Sequence, residues 1–177
     1  IRPCVACNQS CKGHQEKGVP ITCIYNPVSG RESDWAELAS APSAKRVVVV
    51  GGGPAGMEAA RVAAERGHSV TLFERSDRLG GQINIAAAAP NRQEFGEIVL
   101  FLEGQLRRLG VEIRAGVEAT ADMVRAESPD AARRHRDYTG GVHAGEDREV
   151  HVHRGHVDVV PRRMQSCLQH KPPFASC

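Results

Sequence analysis

Residues 46–75 read RVVVVGGGPAGMEAARVAAERGHSVTLFER. Arg46 to Val50 form a β-branched run, the pattern of a strand covered on both faces. Gly51, Gly53 and Gly56 follow in the spacing G-x-G-x-x-G. Pro54 pre-sets the first turn of a helix, where a missing N–H costs nothing. The alanine-rich stretch to Arg66 favours that helix, and Gly67 stops it. Ser69 to Phe73 is a second strand, ending at Glu74. A strand, a glycine turn, a helix and a parallel strand make one βαβ unit.

This context turns a weak glycine motif into a dinucleotide-binding fingerprint. Gly51 permits the tight turn, Gly53 clears space for a diphosphate, and Gly56 lets helix and strand pack closely. The helix N-terminus presents N–H groups and a positive dipole end to the phosphates. Glu74, about twenty residues on, is placed to accept from ribose hydroxyls, which favours NAD or FAD over NADP. The stretch after Glu74 and Arg75 ends in Gly80-Gly81-Gln82. Such a second turn can meet the diphosphate from the other side through backbone N–H groups. The acid, spacer and glycine pair resembles the one beside the adenosine and pyrophosphate in many FAD-binding two-dinucleotide-domain flavoproteins, which favours FAD over NAD.

Outward from this unit, residues 93–110 predict an amphipathic helix with Phe95, Ile98, Leu102, Leu106 and Leu109 on its core-facing side. Gly110 stops it, Val111 to Arg114 predict a short strand, and residues 121–127 a last turn of helix. Upstream, residues 30–43 predict a linker, with Trp35 anchoring it against a surface.

The first 29 residues carry CVACNQSCKGHQEKGVPITC at positions 4–23, a C-x2-C-x3-C-x11-C pattern. Four thiolates so grouped suit a 4Fe–4S cluster on Cys4, Cys7, Cys11 and Cys23. A Cys4 zinc site competes, although the second C-x2-C knuckle usual in zinc ribbons is missing, and a metal-free loop is the third reading. His14 reads as a surface histidine rather than a ligand. The spacing and the nucleotide domain favour reduced thiols and a cytoplasmic protein over a disulfide framework.

Composition narrows the partners. The 177 residues carry a formal net charge of +2 and only 4% aromatic residues, which argues against nucleic acid. No apolar run approaches membrane-spanning length. The chain opens at Ile1 and reads as a fragment of something longer.

With these motifs in order, residues 1 to about 130 resemble the C-terminal half of the iron–sulfur flavoenzymes that include 2,4-dienoyl-CoA reductase and trimethylamine dehydrogenase. IRPCVACNQSC, CIYNPVSGRE, VVVVGGGPAGMEAA, GHSVTLFE and GGQINIA carry the resemblance, and the cysteine spacing looks like the reductase branch. The resemblance implies an α/β fold. A Rossmann-like FAD-binding domain (residues 44–130, incomplete) would follow a 4Fe–4S segment (residues 1–29). It implies a 4Fe–4S cluster on the four cysteines and a diphosphate on the Gly51–Gly56 turn, Pro54 and Ala55 included. Glu74 would hold the ribose, Arg75, Gly81, Gln82 and Arg92 would touch the cofactor, and the backbone at Ala119 would lie by the adenine. It implies a NAD(P)H-dependent oxidoreductase passing electrons from NAD(P)H through FAD and the cluster to FMN in an N-terminal TIM barrel. That barrel, its FMN and its small-molecule substrate site lie outside this chain.

The chain departs from the family after Asp130. The family would place a buried strand there, but residues 131–177 open with Ala-Ala-Arg-Arg-His-Arg-Asp and hold six of the eight histidines. Unpaired buried charges cost too much for a central strand, so an irregular or disordered tail is expected. No metal site is read into His151, His153 and His156, and no role is assigned to Cys167 or Cys177. Three functional readings stand: the electron-transfer portion of an iron–sulfur flavoprotein, a zinc-stabilised nucleotide-binding module without redox activity, and a non-functional truncated product. The first is the one the ordered part encodes. Shifted by one nucleotide, arginine CGN codons over residues 132–137 can spell Leu-Val-Val-Ile-Ala-Thr, so the tail reads as out of frame. Sequencing the coding DNA should restore apolar strand residues in the shifted frame, and a frame that stays polar ends the idea.

Overall fold

The computed structural model describes residues 1–35, 37–134, 149–153 and 156–160. The elements run α1 (Lys12–Glu16), α2 (Glu32–Trp35), β1 (Arg46–Val50), α3 (Pro54–Glu65), β2 (Ser69–Glu74), α4 (Gln82–Ala87), a 3₁₀ turn (Gln93–Phe95), α5 (Gly96–Arg108), β3 (Glu112–Ala115), α6 (Ala121–Ala126), β4 (Ala131–Arg134), β5 (Glu149–His153) and β6 (His156–Val160). The sheet order is β3-β2-β1-β4-β5-β6. The first four strands are parallel: β1 pairs β2 with Val47 opposite Val70, and β2 pairs β3 with Leu72 opposite Ile113. Strand β5 continues parallel to β4, and β6 turns back antiparallel to β5.

β1 is central because both faces of its valines are covered: Val47, Val48 and Val49 are all buried. Val47 and Val49 share a core with Val70 and Leu72 of β2, Met57, Ala60 and Ala63 of α3, and Ile98, Leu102 and Leu106 of α5. The α5 stripe is the expected one, with Phe95 and Leu109 at its ends only partly buried. One continuous helix was expected from residue 93; a 3₁₀ turn precedes it instead, and α5 starts at Gly96. Gly67 and Gly110 stop α3 and α5 with positive φ, 91° and 72°. Thr120 caps α6 by accepting from the Met123 N–H at 3.2 Å.

The expectation that the arginine-rich run cannot enter the sheet is corrected: Ala131–Arg134 is β4, paired with β1 from Val47↔Ala131 to Val50↔Arg134. Small residues occupy the inner positions, with Ala131 buried. Arg133 lies opposite Val49, near the strand ends, and stays half-exposed. Asp130 seeds the pairing. Its N–H donates to the Arg46 carbonyl at 2.9 Å, and its Oδ2 accepts the Arg46 N–H at 2.8 Å. The sheet therefore crosses the boundary expected at residue 130. Of the tail beyond, only the backbones of β5 and β6 are described. The disorder expected elsewhere, and the readings of the three histidines and of Cys167 and Cys177, fall outside the described residues.

The cysteine segment is not a free appendage. Val5 is 4% exposed and belongs to the nucleotide-domain core, with Cys7 and Tyr25 packed against it. The Arg2 guanidinium stacks on Tyr25 and Phe101, at 5.2 and 4.9 Å from the ring centroids. It also donates to both carboxylate oxygens of Glu58 on α3 at 3.1 Å, while Arg61 pairs with the same carboxylate. The linker is tied as well: the Ala41 N–H donates to the Arg66 carbonyl at 2.9 Å, and Arg66 Nε to the Ala39 carbonyl at 3.2 Å. Trp35 stays half-buried, and the partner seen on its ring is Arg31, 4.7 Å away.

His68, between α3 and β2, is buried and accepts the Lys45 N–H on Nδ1 at 3.2 Å, so it is neutral. Desolvation, then the charges of Arg66 and Lys45, hold its pKa below the ordinary value. The unfolded chain thus binds the proton first. Stability should be full above about pH 6.5 and fall as pH drops towards the lowered folded value. Thermal unfolding from pH 8 to 5 should show this fall, and His68→Gln should flatten it.

Candidate nucleotide-binding site

The site lies where the parallel strands end, the edge at which open α/β sheets bind ligands. The chain leaves β1 through Gly51, with φ 107° and its N–H donating to the Phe73 carbonyl at 2.8 Å. Gly56 returns so close that a Cβ on it would lie 1.9 Å from the Gly51 carbonyl oxygen. That approach sets α3 against the turn, with Pro54 at its start and no side chain capping it. Its first-turn N–H groups are therefore the ones an anion would meet, and Ala55 there is exposed. A Cβ on Gly53 would meet nothing within 4 Å. The space beside Gly53 is open, on the side from which a diphosphate would approach the turn.

A second turn closes on the first. The Gly80 N–H donates to the Gly52 carbonyl at 2.8 Å, and a Cβ on Gly81 would lie 3.4 Å from Gly53 Cα. Asn84 fastens this turn by donating to the Leu79 carbonyl at 2.8 Å. After β3, the Gly116 N–H reaches the Ser76 carbonyl at 2.7 Å and the Val117 N–H the Glu74 carbonyl at 2.9 Å. This brings Val117 back to the end of β2, and half-buried Ala119 follows two residues on. Gly51, Gly53, Pro54, Ala55, Gly56, Glu74 and Gly81 thus gather at one edge of the sheet. Gln82 opens α4 and is exposed, as is Arg75. Arg92 lies beyond the far end of α4, its guanidinium 5.8 Å from the Phe95 ring.

Glu74 does more than the sequence suggested. The residue is 7% exposed, and its carboxylate accepts the Gly52 N–H on Oε2 at 2.5 Å and the Ser76 N–H on Oε1 at 2.8 Å. Gly52, the middle glycine of the run, was not singled out. Its missing Cβ would lie 2.5 Å from Leu79 Cδ2 and 3.0 Å from Glu74 Cβ. The uninterrupted Gly-Gly-Gly was the available signal. The role of Leu79 as the wall behind it had none.

In the cysteine loop the Ala6 N–H donates to Cys4 Sγ at 3.4 Å, and positive φ at Ala6 and Asn8, 50° and 55°, curls the chain about Cys7. The Thr22 N–H donates to the Ser10 carbonyl at 3.3 Å, setting the residue before Cys23 against the residue before Cys11. His14, read as a surface residue, is half-buried. Its Nδ1 lies 3.0 Å from the Pro20 carbonyl, which can only accept, and 3.3 Å from Thr22 Oγ1. It pins the return of the loop. All four cysteines are free thiols. Their donor chemistry suits a metal centre, but among the described residues no three His, Cys, Asp or Glu side chains are gathered closely enough to hold a metal ion.

Fold and cradle together define a Rossmann-like nucleotide-binding domain of the flavoprotein type. The family model described as "FAD dependent oxidoreductase" matches residues 46–163, and the chain belongs to that family. An NADH oxidase of Thermoanaerobacter brockii is 48% identical over 131 residues, 73% of this chain and 20% of its own. An N,N-dimethylglycine/sarcosine dehydrogenase of Chromohalobacter salexigens is 47% identical over 133 residues, 73% of this chain and 19% of its own. The solved complex of a 2-naphthoyl-CoA reductase with 2-naphthoyl-CoA aligns with a TM-score of 0.71 and 39% identity, over 74% of this chain and 20% of that one. This chain spans about one fifth of the length of these relatives. No helix among the described residues is long and apolar enough to cross a membrane.

The glycines should separate under substitution. Gly56→Ala forces Cβ into the Gly51 carbonyl and should cost about 1–3 kcal/mol or more in unfolding free energy. Gly53→Ala has open space around its Cβ, so its unfolding midpoint should stay near wild type while FAD binding weakens about tenfold or more. Chemical denaturation and FAD titration check the pair.

Proposed function

We propose that this chain is the electron-transfer portion of an FAD- and 4Fe–4S-containing oxidoreductase. It would work between NAD(P)H and an FMN carried by a TIM-barrel portion outside this chain. The observation that supports it most is that Val5 and Cys7, within the thiol cluster, pack on the same core that shapes the diphosphate cradle. FAD would supply a carrier able to accept two electrons and release them singly, and the cluster a one-electron relay.

The residues have distinct tasks in this reading. The α3 N-terminus and the backbone from Gly51 to Gly56 hold the diphosphate, with Gly80–Gly81 closing from the other side. Glu74 holds the adenosine ribose, the backbone at Ala119 meets the adenine, and Arg75, Gln82 and Arg92 contact the outer parts of the cofactor. Cys4, Cys7, Cys11 and Cys23 supply the thiolates. Loading draws them together, and the Ala6 N–H already directed at Cys4 offsets thiolate charge. The relatives act, by their names, on unlike molecules, an N-methylated amino acid in one and an aryl-CoA thioester in another. The substrate is therefore a small molecule chosen elsewhere in the enzyme. A cytoplasmic location, where thiols stay reduced, fits this reading.

Anaerobic purification tests the cofactors directly. Expected are about four irons per chain with a broad band near 400 nm, bound FAD, and loss of iron in Cys7→Ser. Zinc without colour would establish the non-redox module instead. Folded protein with neither metal nor flavin would leave a truncated product.

A further inference from the structure

We propose that Glu74 is a positioning residue for the diphosphate turn, acting through the backbone of Gly52 and separately from any contact with ribose. The inference rests on the reading that this turn binds the diphosphate of FAD. The geometry sets two backbone donors on one buried carboxylate: Gly52 N–H at 2.5 Å and Ser76 N–H at 2.8 Å. Gly52 belongs to the glycine turn after β1, and Ser76 to the loop after β2. The carboxylate therefore fastens the ends of the two strands across their mouth.

Gly52 is trapped there on every side. Its carbonyl is taken by the Gly80 N–H, and the space of its absent Cβ is filled by Leu79 and by Glu74 itself, whose Oε2 would lie 3.1 Å away. The next residue, Gly53, bears the cradle and is the N-cap of α3. Rotating the Gly52 peptide would turn Gly53 and the first helical N–H groups away from the diphosphate.

The chemistry requires two acceptors. A carboxylate accepts at both oxygens, whereas a carboxamide accepts at one end and donates at the other. In Glu74→Gln one backbone N–H must face an NH₂ group, which is repulsive and buried. A ribose hydroxyl both donates and accepts, so it can bond with either side chain. Each carboxylate oxygen keeps a second lone pair, so a ribose contact and the brace can coexist. Asp keeps both acceptors but is one methylene short of spanning them.

A cycle with altered protein and altered ligand separates the two roles. The full chain and its Glu74→Gln and Glu74→Asp variants are titrated calorimetrically with ADP and with 2′,3′-dideoxyadenosine 5′-diphosphate, which lacks the ribose hydroxyls. A brace predicts that Glu74→Gln weakens both ligands alike, about tenfold, and that Glu74→Asp recovers part of the loss. If Glu74→Gln weakens ADP yet leaves the dideoxy ligand unchanged, the side chain acts through ribose alone and the proposal is overturned. If the unsubstituted chain binds neither ligand, the nucleotide reading falls, and the inference with it. Should Glu74→Gln not fold, amide hydrogen exchange on the unsubstituted, ligand-free chain decides. Exchange at Gly52 and Ser76 at least about a hundredfold slower than in an unstructured peptide supports the brace. Exchange at the unstructured rate overturns it.

Discussion

Helix α3 can sit where it does only because nothing projects from Gly56 towards the Gly51 carbonyl. The rest of the nucleotide half follows from that approach. It tips the helix so that its uncapped start opens on the strand ends, and it carries Met57 and Ala60 down onto Val47 and Val49. The space beside Gly53 stays open. The Gly80 turn, the Glu74 carboxylate and the segment after β3 converge on the same mouth, each by short backbone hydrogen bonds. The bonds at Gly52 lie among buried groups, and they hold the mouth in shape before any ligand arrives.

The βαβ unit was legible because its signals are local and agree with one another. A β-branched run, three spaced glycines, a proline at the helix start and a terminal acid all specify the same local fold. β1 is found where the pattern put it, and β2 runs through the expected Glu74. The Gly51–Gly56 turn and the Gly80 turn also come together as expected. What was not legible depends on partners distant in sequence. Val5 gives no local sign that it completes a core formed 40 or more residues later. Arg2 shows nothing of its grip on Glu58 until the fold brings them together. Charge density misled at residue 131: Asp130 and Arg46 exchange two hydrogen bonds at the start of the strand, and buried Ala131 faces Val47.

Family membership and chemistry sit at different levels. The matched region supplies a nucleotide cradle common to enzymes whose names range from NADH oxidase to aryl-CoA reductase. A fold shared so widely does not by itself fix the substrate, because function lives in sites grafted on folds. The thiol loop belongs with the shared part in this chain, since its anchors are built into the cradle's own core.

That anchoring has a consequence for inheritance. Because Val5 plugs the core and Arg2 is clasped between two rings and a carboxylate on α3, the stretch from residue 1 to 25 and the glycine fold form one heritable block. A recombination event cutting between them would leave an apolar hole on one product and an orphaned cation on the other. A crossover within residues 30–43 would therefore cost packing and pairing that exchange outside this block would spare.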